Sequence, residues 1–170
     1  MLFERYLMPD LVTDHFYNVS PELLAGLGIR GLICDIDNTL ATYEQPDPPA
    51  DVIEWCAVMR QAGVSIAFVS NNDEERVARF NKNFGFPAYA KSGKPFGKNL
   101  RRAMADMGTD ITTTAVLGDQ LLTDALAGKL LGLPVLIVPP IADKKTLFFR
   151  FKRWLEKPYM NEYKRRHMFP

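Results

Sequence analysis

Asp35 and Asp37 stand two positions apart in DIDNTL, residues 35 to 40. In an extended chain that spacing points both side chains the same way, and two such carboxylates repel unless a cation neutralises them. A hard divalent ion such as Mg2+ suits the task, because it accepts one or two carboxylates together with phosphate and water. Asp-Asn-Thr is also ordinary turn chemistry, so the pair does not decide by itself. Three further stretches carry reactive groups. Ser70-Asn71-Asn72 precedes a helix opening at Asp73, where a hydroxyl and free backbone amides form either a phosphate cradle or a plain cap. KSGKPFGK offers Lys91, Lys94 and Lys98, and GDQLLTD offers Asp119 with Asp124 five residues on.

The apolar runs GLICDI (31–36), VSIAFV (64–69), TTAVL (113–117) and PVLIV (134–138) read as strands buried on both faces. Helical spacing fills the gaps: Val52, Trp55, Cys56 and Met59; Val77, Phe80 and Phe84; Leu100, Met104 and Met107; Leu122, Leu126 and Leu130. Gly108, Gly128 and Gly132 read as helix ends, interruptions or turns, and Pro95 suits the first turn of a helix. Alternating strands and helices imply an α/β fold, a Rossmann-like three-layer structure on a parallel sheet, whose ligands gather beyond the carboxyl ends of the strands. All four reactive stretches fall there, in order along the chain.

Together they outline phosphoryl transfer. Asp35 would attack phosphorus, and Mg2+ held by Asp35, Asp119 and the Asp37 carbonyl would offset charge on the phosphoryl oxygens. Asp37 would protonate the leaving oxygen and then activate water. Ser70, the amide of Asn71 and Lys94 would bind the transferred group, while Asp124 would orient Asp119 or hold a water ligand.

The order DxDxT, Ser-Asn, Lys-Pro and GDxxxxD resembles the haloacid dehalogenase (HAD) superfamily. From residue 21 to about 138 the chain looks like the YqeG-like phosphatases of subclass IIIA, relatives of the phosphatidylglycerophosphate phosphatases. The resemblance implies an HAD-like core, Mg2+, Asp35 as nucleophile, Asp37 as acid and base, Thr39 in support, Ser70 and Lys94 on phosphate, and Asp119 on the metal. It also favours phosphatidylglycerophosphate as substrate, a soluble phosphorylated metabolite being the alternative. Lys94 is preferred over Lys91 and Lys98 because it immediately precedes Pro95. Only 34 residues separate Asp35 from Ser70 and 23 separate Ser70 from Lys94, so no cap domain fits. The expected site is open, closed at most by the loop over residues 42–51.

The expected organisation is an N-terminal segment (1–28), a phosphatase core (29–142) and a basic aromatic tail or docking helix (143–170). Residues 144–170 hold nine Lys or Arg against Glu156 and Glu162, whereas the remainder holds 12 basic and 18 acidic residues. Either Phe148, Phe149, Phe151 and Trp154 pack on the core, or the tail meets an anionic membrane, where each cation contributes about 1 kcal/mol. Leu2, Phe3, Tyr6 and Leu7 would join such a contact. An RNA- or ribosome-associated module is the competing reading of the same tail. Cys34 and Cys56 read as buried free thiols of a reducing compartment. With no signal peptide or spanning segment, the chain is expected in the cytoplasm, in peripheral contact with the inner face of the membrane. GLGIRG (26–31) matches a dinucleotide fingerprint but precedes the first strand instead of following it, which excludes that use.

Overall fold

The computed structural model describes residues 3–142 and 146–168. Leu2, Lys144 and Lys145, which figure in the expectations for the termini, lie outside the described residues. Six parallel strands form one sheet: β1 (Leu11–Val12), β2 (Gly31–Cys34), β3 (Ser65–Val69), β4 (Ala88–Tyr89), β5 (Thr114–Gly118) and β6 (Val135–Ile137). Their order is β1-β6-β5-β2-β3-β4. The chain therefore builds outward from β2 through β3 to β4, then restarts on the other side with β5. The crevice between β2 and β5 is the point where a parallel sheet of this kind receives its ligand.

Side chains alternate across the sheet as the pleat requires. Leu32, Cys34, Ile66 and Phe68 join one buried cluster with Val52, Trp55 and Met59 of α3 (Ala50–Gln61) and Val77 and Phe80 of α4 (Glu74–Asn81). Ile33, Ala67, Val69 and Val116 join a second with Leu100, Ala103 and Met104 of α5 (Lys98–Met107). Strands clothed on both faces explain the unbroken apolar runs. Two short helices complete the amino-terminal part, α1 (Glu4–Leu7) and α2 (Pro21–Gly26), the latter capped by the Ser20 hydroxyl, which accepts from the Leu23 amide.

The structure departs from the sequence pattern in several places. Residues expected to lie outside the core supply the edge strand β1, and β4 is only two residues long, too short to show a period. Phe84 lies past the end of α4, and Pro95 lies in a turn before α5. Between β5 and β6 a π-helical turn (Leu121–Ala125) leads into α6 (Leu126–Leu130). The wider turn rotates the helix: Leu121 and Ala125 are buried and Leu130 is exposed, contrary to the Leu122-Leu126-Leu130 stripe. No separate cap domain interrupts the described residues. The last helix, α7 (Leu147–Met168), returns to the sheet and closes one side of the crevice.

α7 docks through polar contacts and through Tyr159 and Met160, which pack against the second buried cluster. Glu156 accepts from the Leu122 amide at 3.1 Å, and the Tyr163 hydroxyl accepts from the Val12 amide at 3.0 Å. Arg166 pairs with Glu4 of α1. Phe149 is buried, but Phe148, Phe151 and Trp154 are more than half exposed and do not pack on the core.

Candidate active site

Each strand end delivers one functional group because the residue after the last ladder position turns out of the sheet. Asp35 follows β2, and its amide still donates to Leu117 of β5 at 2.9 Å, which fixes where the carboxylate emerges. Residues 36 to 41 then fold back in a tight loop, with Asn38 in the left-handed region (φ 65°) that Asn tolerates better than most residues. The loop lets the Thr39 hydroxyl reach two carboxylates, Asp35 Oδ2 at 3.1 Å and Asp119 Oδ1 at 3.3 Å.

Lys94 arrives from the loop after β4 and is nearly buried, whereas Lys91 and Lys98 are exposed. Its Nζ donates at 2.7 Å to both Asp35 Oδ1 and Asp124 Oδ1. Asn71 holds that loop in place: its Oδ1 accepts from the Ser92 hydroxyl at 2.7 Å and the Lys94 amide at 2.9 Å, while its Nδ2 donates to the Lys94 carbonyl. The Asn71 side chain is thus a scaffold for Lys94. Ser70 is buried beside it, its Oγ accepting from the Asn72 amide at 3.0 Å.

Asp119 and Asp124 bracket the end of β5. Gly118 makes their approach feasible, since a Cβ there would lie 2.3 Å from the Asp124 carboxyl carbon. Asp124 cannot yield, being tied to Lys94 and accepting from the Gln120 amide at 3.2 Å. Asp119 receives Arg153 of α7 at 2.6 Å on its carboxylate and 2.7 Å on its carbonyl, and the same guanidinium reaches Glu156 at 2.9 Å.

Asp37 stands apart from this cluster. Its Oδ2 accepts from Asn72 Nδ2 at 2.9 Å and its Oδ1 from Arg76 Nε at 3.1 Å. Arg76 also donates to the carbonyls of Thr42 and Pro46, so one guanidinium sets both Asp37 and the loop flanking it. The two aspartates of DIDNTL therefore have different partners despite their spacing.

Burial drives the electrostatics. It pushes the Asp35 carboxyl up to about 7, with Lys94 opposing and Asp124 reinforcing. Burial also holds Asp119 well above the usual carboxylate range, reinforced by Asp35 and Asp124 against the pull of Arg153. For Lys94, burial alone would depress the ammonium, but the Asp124 and Asp35 carboxylates outweigh it and hold it above its ordinary value. Burial is thus the main cause for Asp35 and Asp119, and the neighbouring carboxylates, three facing the two cations Lys94 and Arg153, add to it. Ligand oxygens of Asp35, Asp119 and Asp124 lie within 4.8 Å of one another, a hard-oxygen donor set that fits a divalent cation. Above it opens a cavity of about 300 Å³, bounded by Asp37, Tyr43, Ser70, Gln120, Phe149 and Lys152 among others.

A family model described as haloacid dehalogenase-like hydrolase matches residues 10–132. The chain belongs to that family. It is 34% identical to the probable phosphatase YqeG of Bacillus subtilis (strain 168) over 165 residues, covering 97% of this chain and 96% of that protein. It is a phosphatase of the HAD type. Two solved structures share its fold. A HAD superfamily (subfamily III A) putative hydrolase from Legionella pneumophila has a TM-score of 0.53 at 19% identity, covering 84% of this chain and 88% of the other. The cobalt-bound deoxy-D-mannose-octulosonate 8-phosphate phosphatase from Haemophilus influenzae has a TM-score of 0.55 at 14% identity, covering 81% and 92%.

Several site residues of this HAD phosphatase escaped the sequence reading. Arg76 carries no motif; the only signal was a cation one turn into the helix after Ser-Asn-Asn. Phe149, Lys152, Arg153 and Glu156 sat inside a tail read as basic and aromatic, where i, i+3 and i, i+4 spacing marks a common helix face without saying what it faces.

Proposed function

We propose that this chain is a Mg2+-dependent phosphomonoester hydrolase acting through an aspartyl-phosphate on Asp35, with phosphatidylglycerophosphate as its favoured substrate. The observation that carries this reading is the seating of Asp35: a carboxylate at the sheet switch point, aligned by Thr39 and Lys94, at the floor of an open cavity.

Asp35, Asp119 and Asp124 would hold the ion through their carboxylates, and the Asp37 backbone carbonyl would add a further ligand. When bound, Mg2+ supplies neutralisation of the excess negative charge and polarisation of the phosphoryl oxygens. The chain's own residues do the rest. Ser70 offers its O–H, Asn71 its backbone N–H and Lys94 its ammonium to phosphoryl oxygens. An Asp35 oxygen attacks phosphorus as the bond to the leaving oxygen breaks, and Asp37 gives that oxygen a proton. Asp37 then takes a proton from water as the water attacks the aspartyl-phosphate, freeing inorganic phosphate and restoring Asp35. Arg76 and Asn72 hold Asp37 in position for both proton transfers.

The lipid preference rests on the absence of a cap among the described residues, which leaves the cavity open to a bulky substrate. Free, buried Cys34 and Cys56 support a reducing cytoplasmic setting, and no described helix is long and apolar enough to cross a membrane. The test is phosphate release from phosphatidylglycerophosphate in mixed micelles and from a panel of soluble sugar and nucleotide monophosphates. The lipid should be hydrolysed fastest, with release abolished by chelator and reduced at least ~10³-fold in Asp35→Asn, the scale on which loss of a nucleophile acts. Preference for a soluble phosphate would replace the lipid assignment, and no release from any phosphomonoester would overturn the whole reading.

A further inference from the structure

α7 points charge inward and rings outward over its first turns, whereas farther along Tyr159 and Met160 pack on the second buried cluster. Its inner face carries Arg153 and Glu156, the charged residues that grip the β5 end. Its outer face over the first three turns carries Leu147, Phe151, Trp154 and Leu155, exposed by 82%, 55%, 66% and 36%. Phe151 and Trp154 stack with centroids 6.0 Å apart, and Phe148, 67% exposed, flanks them. Beyond Pro158 the outward positions turn polar with Asn161 and Arg165, so the apolar stripe is confined to the end of the helix beside the cavity.

A surface of this kind stays exposed at a cost unless something covers it. The charges around it narrow down what that is. Arg150 and Lys157 flank the stripe in the open, and Lys152 sits at the cavity edge with its ammonium 4.8 Å from the Phe148 ring centroid. The helix's two acids are both engaged: Glu156 with Arg153 and the Leu122 amide, Glu162 with Arg165 and Arg166. Aromatic side chains ringed by cations with no acid opposite them among the described residues match the interface of an anionic bilayer, where the rings enter the headgroup boundary and the cations meet phosphate.

We propose that the outer face of α7 docks this protein on anionic phospholipid membranes, with Phe151 and Trp154 as the inserted anchors. Because Arg153 and Phe149 tie the inner face of the same helix to the site, docking sets the cavity mouth beside the lipid headgroups. The proposal stands apart from the catalytic reading, since a variant without the nucleophile keeps the surface intact.

The full chain is mixed with vesicles of phosphatidylglycerol and phosphatidylcholine, and separately with phosphatidylcholine alone. Cosedimentation is expected with the first, weakening as salt rises, and much less with the second. Trp55 is buried and donates to the Val19 carbonyl, so a blue shift in emission on binding reports Trp154 and disappears in Trp154→Phe. The double variant Phe151→Ser, Trp154→Ser, which alters only exposed side chains, should lower binding at least tenfold, because burial of one large apolar side chain is worth roughly that factor or more. Asp35→Asn should bind as the wild type does. No vesicle binding would overturn the proposal, as would binding unchanged in the double variant or equal on both lipid compositions. Salt-sensitive poly(U) binding without vesicle binding would assign the face to nucleic acid instead, and a dimer broken by the double variant would assign it to a second copy.

Discussion

The floor of the cavity and its α7 wall are held together by opposite means. The floor is built from three strand ends, Asp35 and Thr39 after β2, Lys94 after β4, and Asp119 and Asp124 after β5: the three carboxylates share Lys94, Thr39 and each other as neighbours, and Gly118 supplies the space. The wall is one helix whose hold on the floor runs through Arg153, Glu156 and the buried ring of Phe149. In the floor every charged group touches another that the chemistry needs, so a single change disturbs several. In the wall the contacts fix position, and the residues facing the cavity decide what approaches. Chemistry and access are thereby separable by mutation.

The largest effect should come from the floor. Lys94→Met leaves Asp35 and Asp124 without their shared ammonium and the phosphoryl oxygens without a donor, so kcat should fall about 10²–10³-fold, the scale seen on removing one preorganised charge-stabilising donor. The melting temperature should also fall in chelator and recover substantially with Mg2+, which offsets the same carboxylates. A variant with near-normal kcat would erase the distinction between floor and wall.

Arg153→Ala is the intermediate case. It strips the counter-charge from Asp119 and from nearly buried Glu156, and breaking a buried pair by removing one partner costs about 3 kcal/mol or more. In a chain of this length that lowers the melting temperature by roughly 2–4 °C per kcal/mol. Proteolysis should cut α7 before the core, while kcat of the intact variant falls less than in Lys94→Met. The smallest effect belongs to Lys152→Ala, which lines the cavity without touching the carboxylates. KM for an anionic substrate should rise a few-fold with kcat nearly constant, the mark of lost uniform binding. An equal loss in kcat would move Lys152 into the chemistry.

The same division explains what the sequence disclosed. The carboxylates of the floor were legible because Asp35 and Asp119 follow apolar runs that read as buried strands, and parallel strands bring their carboxyl ends together whatever their order, whereas Lys94 follows the two-residue β4 and was found from its place before Pro95. The unbroken runs around Leu32, Phe68 and Leu117 left little choice. Two things were not legible. Asn71 has a second task beside the backbone N–H assigned to phosphate, because its side chain holds the Lys94 loop, which only the fold shows. The Leu122-Leu126-Leu130 stripe failed because a π-helical turn, which a 3.6-residue period cannot express, rotates the helix. The wall was hidden for a different reason. Its aromatics outnumber its acids, and composition says that rings should be inside, whereas Arg153 and Glu156 have partners far away in sequence that hydrophobic pattern cannot reveal. Pairing of Asp37 with Arg76 across 39 positions is equally non-local.

The central claim is that Asp35 carries the phosphoryl group, and acid-quenched turnover followed by peptide mass spectrometry tests it most directly. Wild type, quenched during steady-state hydrolysis, should show one added phosphoryl group on the peptide containing Asp35. Asp37→Asn should accumulate it if that carboxylate serves hydrolysis of the intermediate more than its formation. Turnover with no phosphoryl group on that peptide, or with the group on another residue, would contradict the account.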